Sequence, residues 1–166
     1  MNDATVRPDA NRTLLAGVLA TVGMLFAAFT AAYLERRGGG DWQRTALPGI
    51  LWINTLVIVA SSVTLEAGRR RAGRGWIRLT AVLGLAFLAG QVVAWRRLAA
   101  AGVFLPTRPH ASFFYTLSAV HGVHLLGGIV ALGAGLRRPA VLGLCAAYWH
   151  FVGAVWLYVL AVLNLL

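Results

Sequence analysis

The stretch Ser112-Phe113-Phe114-Tyr115-Thr116-Leu117-Ser118-Ala119-Val120-His121-Gly122-Val123-His124-Leu125-Leu126-Gly127-Gly128 decides how the chain is read. It is apolar, long enough for a helix and free of Asp, Glu, Lys and Arg, with two histidines near its middle. In a helix, a spacing of three leaves the two imidazoles about 60° apart, on one face. Polar groups at that depth are costly, because hydrocarbon offers no water to solvate them. What packs against this face must therefore account for the histidines.

Working outward, the composition fixes the class. Of 166 residues, 59% are hydrophobic and 12% charged, and the mean hydropathy is +0.73. A soluble domain of this length cannot hide so much apolar surface. Uncharged runs near the ~20 residues that cross ~30 Å of hydrocarbon identify a polytopic membrane protein. The formal charge is +10, and every basic residue is arginine. The arginines sit between apolar runs and form no stripe with interleaved aromatics. The charge thus reflects the positive-inside bias and not nucleic-acid binding. Cys145, the single cysteine, lies in an apolar run and reads as a small buried hydrophobe.

The chain is expected to be an all-α membrane protein, a single bundle of five transmembrane helices. A polar cytoplasmic tail (residues 1–12) lacks the compact basic region of a signal peptide. A first span follows at residues 13–34, with Ala27, Ala28, Ala31 and Ala32 as a small-residue packing face. The segment Glu35 to Asp41, with three successive glycines, is a loop, and Trp42 is placed at the interface. Pro48 opens a second span, residues 47–66, from within its first turn. There Asn54, Thr55, Ser61, Ser62 and Thr64 should point at neighbouring helices. A basic loop containing Arg69, Arg70 and Arg71 leads to a third span, residues 76–98, which carries Gln91 and Trp95. Pro106 and Pro109 interrupt the helix before the fourth span, residues 110–136. Gly127, Ala131 and Gly135 form a small-residue face there. The short Arg137-Arg138-Pro139 turn makes the fifth span, residues 140–163, its antiparallel neighbour.

Orientation follows from the arginines. The N-terminal side receives Arg7, Arg12, Arg69, Arg70, Arg71, Arg74, Arg78, Arg137 and Arg138, nine in all. The other side receives Arg36, Arg37, Arg44, Arg96, Arg97 and Arg108, six in all. This places the N-terminus in the cytoplasm and the C-terminus in the periplasm. His121 then lies roughly 15 Å below the outer end of its span, and His150 roughly 16 Å above the inner end of the next. Both fall near the midplane on adjacent helices. Asn54 and Gln91 share the outer part of the membrane and are placed to bond to each other.

Two chemistries compete for His121, His124 and His150. Imidazoles at a shared depth suit haem or metal ligation. Neutral histidines also hydrogen-bond across helices as polar glue. Packing is favoured, since no carboxylate lies nearby. No Asp or Glu falls in the middle of any span, so a proton path through this chain alone lacks acids. Ser118 shares a face with His121, which reads as a local hydrogen bond and not a nucleophile–base pair. Glu66 ends a span and belongs at the interface.

The motifs resemble a known family. Ser112-Phe113-Phe114 with Thr116, then His121-Gly122-Val123-His124 and Gly127, resembles the penultimate helix of haem-copper oxidase subunit III. Tyr148-Trp149-His150-Phe151-Val152 followed by Val155-Trp156-Leu157 resembles its last helix. Pro48, Asn54-Thr55, Ser61-Ser62 and Thr64 resemble an earlier helix of that family. Thr80, Leu83-Gly84, Phe87-Leu88, Gln91 and Trp95 resemble the next, and Phe26, Phe29 and Ala32-Tyr33 match more loosely. The likeness is to a short five-helix form. Three acids common in the family have no counterpart here, where Val22, Ala94 and Gly153 stand in their places.

The resemblance implies an accessory, non-redox subunit of a terminal oxidase in the bacterial inner membrane, with no active site of its own. It implies catalytic subunit I as main partner, with subunit II and a small subunit IV alongside. Haem and copper would reside in those partners, phospholipids would bind this chain, and it would support stable turnover and proton uptake. His121, His124, Tyr148, Trp149 and His150 are then the expected structural polar cluster, with Asn54 and Gln91 behind them. Arg69, Arg70 and Arg71 are candidates for anionic lipid or partner acids. No catalytic residue and no metal site is expected. Three alternatives stand beside this reading: an accessory protein of nitric oxide reductase, a free-standing histidine-ligated haem or metal protein, and a lipid-binding scaffold.

Overall fold

The computed structural model describes residues 8–71, 73–105 and 108–165. Residues 1–7 of the expected tail, and Pro106 in the connection before the fourth span, lie outside the described residues. Five helices are long and apolar enough to cross a membrane. They are α1 (Pro8–Arg37), α2 (Ile50–Arg70), α3 (Arg74–Ala100), α4 (Pro109–Arg137) and α5 (Leu142–Leu165). No strand occurs among the described residues.

Most helices overrun the spans expected from hydropathy. α1 has 30 residues, about 45 Å at 1.5 Å per residue, against ~30 Å of hydrocarbon. Backbone hydrogen bonding does not stop where the side chains turn polar, so the helices continue past the apolar runs that hydropathy marks. Pro48 departs from expectation. It precedes α2, and its carbonyl accepts from Leu51 N–H (3.1 Å) while the Gly49 carbonyl accepts from Trp52 N–H (3.2 Å). Those two tight turns lead into the helix. The fifth span likewise opens with a 3-10 turn, Pro139–Val141.

Local chemistry stops α3. α3 ends at Gly102, whose φ of +75° is the left-handed conformation glycine adopts without cost. The Val103 N–H then reaches back to the Leu98 carbonyl (3.0 Å), and the Gly102 N–H to that of Ala99 (2.9 Å), which is a Schellman close. Between α2 and α3 the chain turns within three residues. Gly68 permits this, because a Cβ there would stand 3.0 Å from Ile77 Cγ1 and 3.1 Å from Trp76 Cβ.

α2, α3, α4 and α5 form a ring in which each helix packs on the next, and α2 closes against α5. α1 leans on the outside and touches only α4 and α5. Trp149, Trp156, Phe87 and Phe114 fill the ring's interior and are fully buried. Outward-facing side chains are large and apolar, with Val130 74% and Leu56 70% exposed. Hydrocarbon is the solvent such a surface suits.

Candidate functional site

The polar face of α2 is the starting point for the interior. Asn54 Nδ2 donates to Gln91 Oε1 on α3 (3.1 Å) and to the Phe87 carbonyl (3.3 Å), the pairing that their depths led us to expect. Thr64 and Thr80 share a hydrogen bond of 2.9 Å one helical stretch further in. On the α5 side, Trp156 Nε1 donates to Thr55 Oγ1 and Trp149 Nε1 to Ser61 Oγ, each at 3.0 Å. The same device repeats between α3 and α4, where Trp95 Nε1 donates to Ser118 Oγ (2.9 Å). Indoles are large apolar bodies with one donor, so they fill the seam and satisfy a hydroxyl together. Hydrogen bonds between membrane helices contribute roughly 0.6 kcal/mol each, so the set acts through number and register.

The three midspan histidines reach different neighbours. His121 is fully buried, its ring 5.6 Å from Phe87 and 5.3 Å from Trp156. Neither of its nitrogens has a hydrogen-bond partner among the described residues. His124 turns toward α1, 6.0 Å from the Phe26 ring, and its Nδ1 lies 2.8 Å from the Val120 carbonyl. Its own carbonyl accepts from Tyr148 Oη (3.1 Å). His150 lines a groove between α2 and α5. Tyr148, Trp149 and His150 thus address α4, the core and the α2 seam in turn. Ser118 bonds to Trp95 and to the carbonyls of Phe114 and Tyr115, and not to His121. Among the described residues, no three His, Cys, Asp or Glu side chains converge as metal ligands would.

Close approach of α4 and α5 depends on glycine. A Cβ at Gly128 would stand 3.1 Å from Trp149 Cε3, and one at Gly135 would stand 3.1 Å from Leu142 Cδ1. Gly128 and Gly135 are buried and Gly127 is exposed, so the face runs through 128, 131 and 135. The 3.6-residue period carries it one position off the triplet read from spacing. Cys145 joins this contact, its thiol donating to the Ala131 carbonyl (3.1 Å).

A second polar cluster, at the other end of the bundle, was not legible from the sequence. His110 is buried, and its Nδ1 accepts from Thr45 N–H (3.3 Å) while its Nε2 lies 3.1 Å from the Leu163 carbonyl. The first contact needs a lone pair, so the proton belongs on Nε2, which donates to Leu163. One side chain thereby ties the α1–α2 loop, the start of α4 and the end of α5. Trp42 and Tyr33 pack on it, with ring centroids 5.8 and 6.1 Å away. Trp42, expected at the interface, is half-buried here. The sequence marks His110 only as the first residue of the fourth span, and a long-range contact reveals its work.

The interfacial arginines are engaged within the chain. Arg69 and Arg70 pair with Glu66 at 2.8 and 2.9 Å, and Arg71 stacks 5.7 Å over Trp76. At the opposite rim Arg36 holds Asp41 with two hydrogen bonds, one of 2.6 Å. That guanidinium keeps the Asp41 carboxyl below the usual carboxylate range. The pair borders an open cavity of about 840 Å³ between α1 and α4.

A ring of long apolar helices joined by tryptophan–hydroxyl bonds defines a multi-pass helical membrane protein. No family model matches the chain. It is 32% identical over 162 residues to a probable cytochrome c oxidase subunit 3 of Mycobacterium bovis, covering 84% of this chain and 80% of that protein. It is 32% identical to cytochrome c oxidase subunit 3 of Corynebacterium diphtheriae, covering 81% of this chain and 77% of that protein. The subunit 3 of Thermostichus vulcanus is 29% identical, over 100% of this chain and 92% of its own length. The chain belongs to the cytochrome c oxidase subunit 3 family, the subunit III of haem-copper oxidases.

Proposed function

We propose that this chain is the accessory, non-redox subunit III of a respiratory haem-copper terminal oxidase. It packs against catalytic subunit I, with subunit II and a small subunit IV in the same complex, in the inner membrane of a bacterium. Haem and copper belong to the partners. This chain contributes a rigid wall, sites for phospholipid and support for stable turnover and proton uptake. Its N-terminus faces the cytoplasm and its C-terminus the periplasm, a reading supported by nine arginines against six on the two sides.

The observation that carries the proposal is the 32% identity over most of the chain to oxidase subunits 3. The interior supports it, because its tryptophans, hydroxyls and amides join one helix to another. His121 and His124 stack on rings or bond to backbone, which suits polar glue better than ligation. The arginines 69–71 keep outward-facing guanidinium surface for lipid phosphates or partner acids.

Gentle purification from the native membrane tests the proposal, with a reduced-minus-oxidised spectrum recorded on the same sample. The chain should emerge with a large subunit bearing haem and copper. Recovery with a nitric oxide reductase, or alone, would overturn it, as would a stoichiometric haem band from the isolated chain.

A further inference from the structure

Among the described residues, six buried side-chain nitrogen and oxygen atoms have no hydrogen-bond partner in the protein. Gln91 Nε2 and the two His121 nitrogens belong to the ring's interior. The other three, Tyr33 Oη, Trp42 Nε1 and Thr45 Oγ1, meet at one end of the bundle. They are exceptions for their kind. Trp95, Trp149 and Trp156 each donate through the indole to a hydroxyl on a neighbouring helix. Tyr115, Tyr148 and Tyr158 each donate to a carbonyl or a hydroxyl. Thr30, Thr55, Thr64 and Thr80 each bond to a carbonyl of their own helix.

The three exceptions come from different elements and gather around His110. Tyr33 lies near the end of α1, and Trp42 and Thr45 lie in the loop that follows. The rings of Tyr33 and Trp42 are 5.1 Å apart. They stand 6.1 and 5.8 Å from the His110 ring, which accepts from Thr45 N–H at 3.3 Å. Phe113 closes on Tyr33 at 5.3 Å. His110 cannot serve the three atoms, because Thr45 N–H and the Leu163 carbonyl occupy both its nitrogens.

Polar atoms buried without partners are costly, and native interiors match nearly all of them to protein or to ordered water. Hydrocarbon offers these three nothing, and their burial admits only a small polar molecule. Water fits by count and by chemistry. An internal water makes about three hydrogen bonds. Its oxygen accepts from an indole N–H, which can only donate, and hydroxyls take either role toward it. The open cavity between α1 and α4 borders the cluster through Gln43, Pro109 and Phe113, which gives water a way in. The geometry points to an internal water-binding site, where one ordered water is held by Tyr33 Oη, Trp42 Nε1 and Thr45 Oγ1. His110 fastens the loop to α4 and α5, and this water fastens it to α1, which has no packing contact with α2.

The test uses the full chain in lipid nanodiscs, with 15N in its indoles and the Trp42 resonance assigned by its loss in Trp42→Phe. In the unaltered chain the Trp42 N–H should show a cross-relaxation peak to water. Tyr33→Phe and Thr45→Val keep shape and leave the Thr45 N–H on His110. Each should cut the water peak severalfold and move the N–H resonance upfield. Thr45→Ser, which keeps the hydroxyl, should leave both unchanged. Because either loss disturbs the same water, the double variant should melt little below the less stable single variant. Absence of the water peak in the unaltered chain would overturn the inference, and that measurement stands even if a variant fails to fold. A peak that neither substitution weakens would overturn it too, as would strictly additive melting shifts. So would an anion in the site, seen as a shift of the Trp42 resonance when chloride is exchanged for bromide.

Discussion

The carboxamide of Asn54 lies where Gly90 has no side chain. A Cβ at position 90 would overlap Asn54 Oδ1 and stand 2.7 Å from its Nδ2, the nitrogen that donates to Gln91. The α2–α3 seam is therefore closed by an amide fitted against bare backbone. Gly90→Ala should cost ~1–3 kcal/mol through overpacking, read as a lower melting temperature in detergent. Asn54→Ala in the same chain should relieve that clash while leaving Gln91 Oε1 unpaired. The double variant should then be more stable than the two single losses would add to. Strict additivity would show that the two residues do not share this space.

His110 makes a second prediction, at the far end of the bundle. Replacing it by alanine strands the Thr45 N–H and the Leu163 carbonyl, each a buried backbone group costing ~1–3 kcal/mol when unpaired. Hydrogen exchange should accelerate at Thr45, and the C-terminal turn of α5 should fray, with little change at Asn54 or Ser61. Unaltered exchange at Thr45 would show that the loop is held by other contacts.

The Arg36–Asp41 pair gives a dependence on pH with a definite sign. The folded Asp41 carboxyl ionises below its ordinary value because of Arg36. Its contribution is complete above the unfolded value and disappears as pH falls through the depressed folded one. The loop after α1 should therefore loosen on acidification below the normal aspartate range, and not between pH 6 and 8. The indole N–H resonance of Trp42, adjacent in sequence and packed on Tyr33 at 5.1 Å, reports that step. Asp41→Asn should remove the pH dependence.

Much of this architecture is legible in the chain itself, because hydrocarbon imposes simple rules. Five spans follow from hydropathy, and Asn54 and Gln91 can be paired from depth alone, since polar groups at one level in lipid seek one another. Rotation about each helix axis is harder to read. His121 and His124 share a face in projection, yet neighbours at different angles give one a core of aromatic rings and the other the edge of α1. The role of His110 depends on residues 65 positions before and 53 after it, and no local pattern carries that. Gly90 and Gly84 look like ordinary membrane glycines until the partner side chain is seen, an amide in one case and Trp149 in the other.

The position of α1 has a consequence for how the protein is made. It packs against neither α2 nor α3, and the helices it does pack on, through contacts such as Tyr158 Oη donating to Thr30 Oγ1 at 2.8 Å and Phe113 on Tyr33 at 5.3 Å, both lie in the second half of the chain. A ribosome delivering helices in order releases α1 long before anything exists for it to hold. It must wait in lipid while α2 and α3 pair beside it, and it reaches its place against α4 and α5 only once that last hairpin has arrived. Of these five helices the earliest made is the last packed, and stalling translation after α3 should leave it free to be captured by an insertase or removed by a membrane protease.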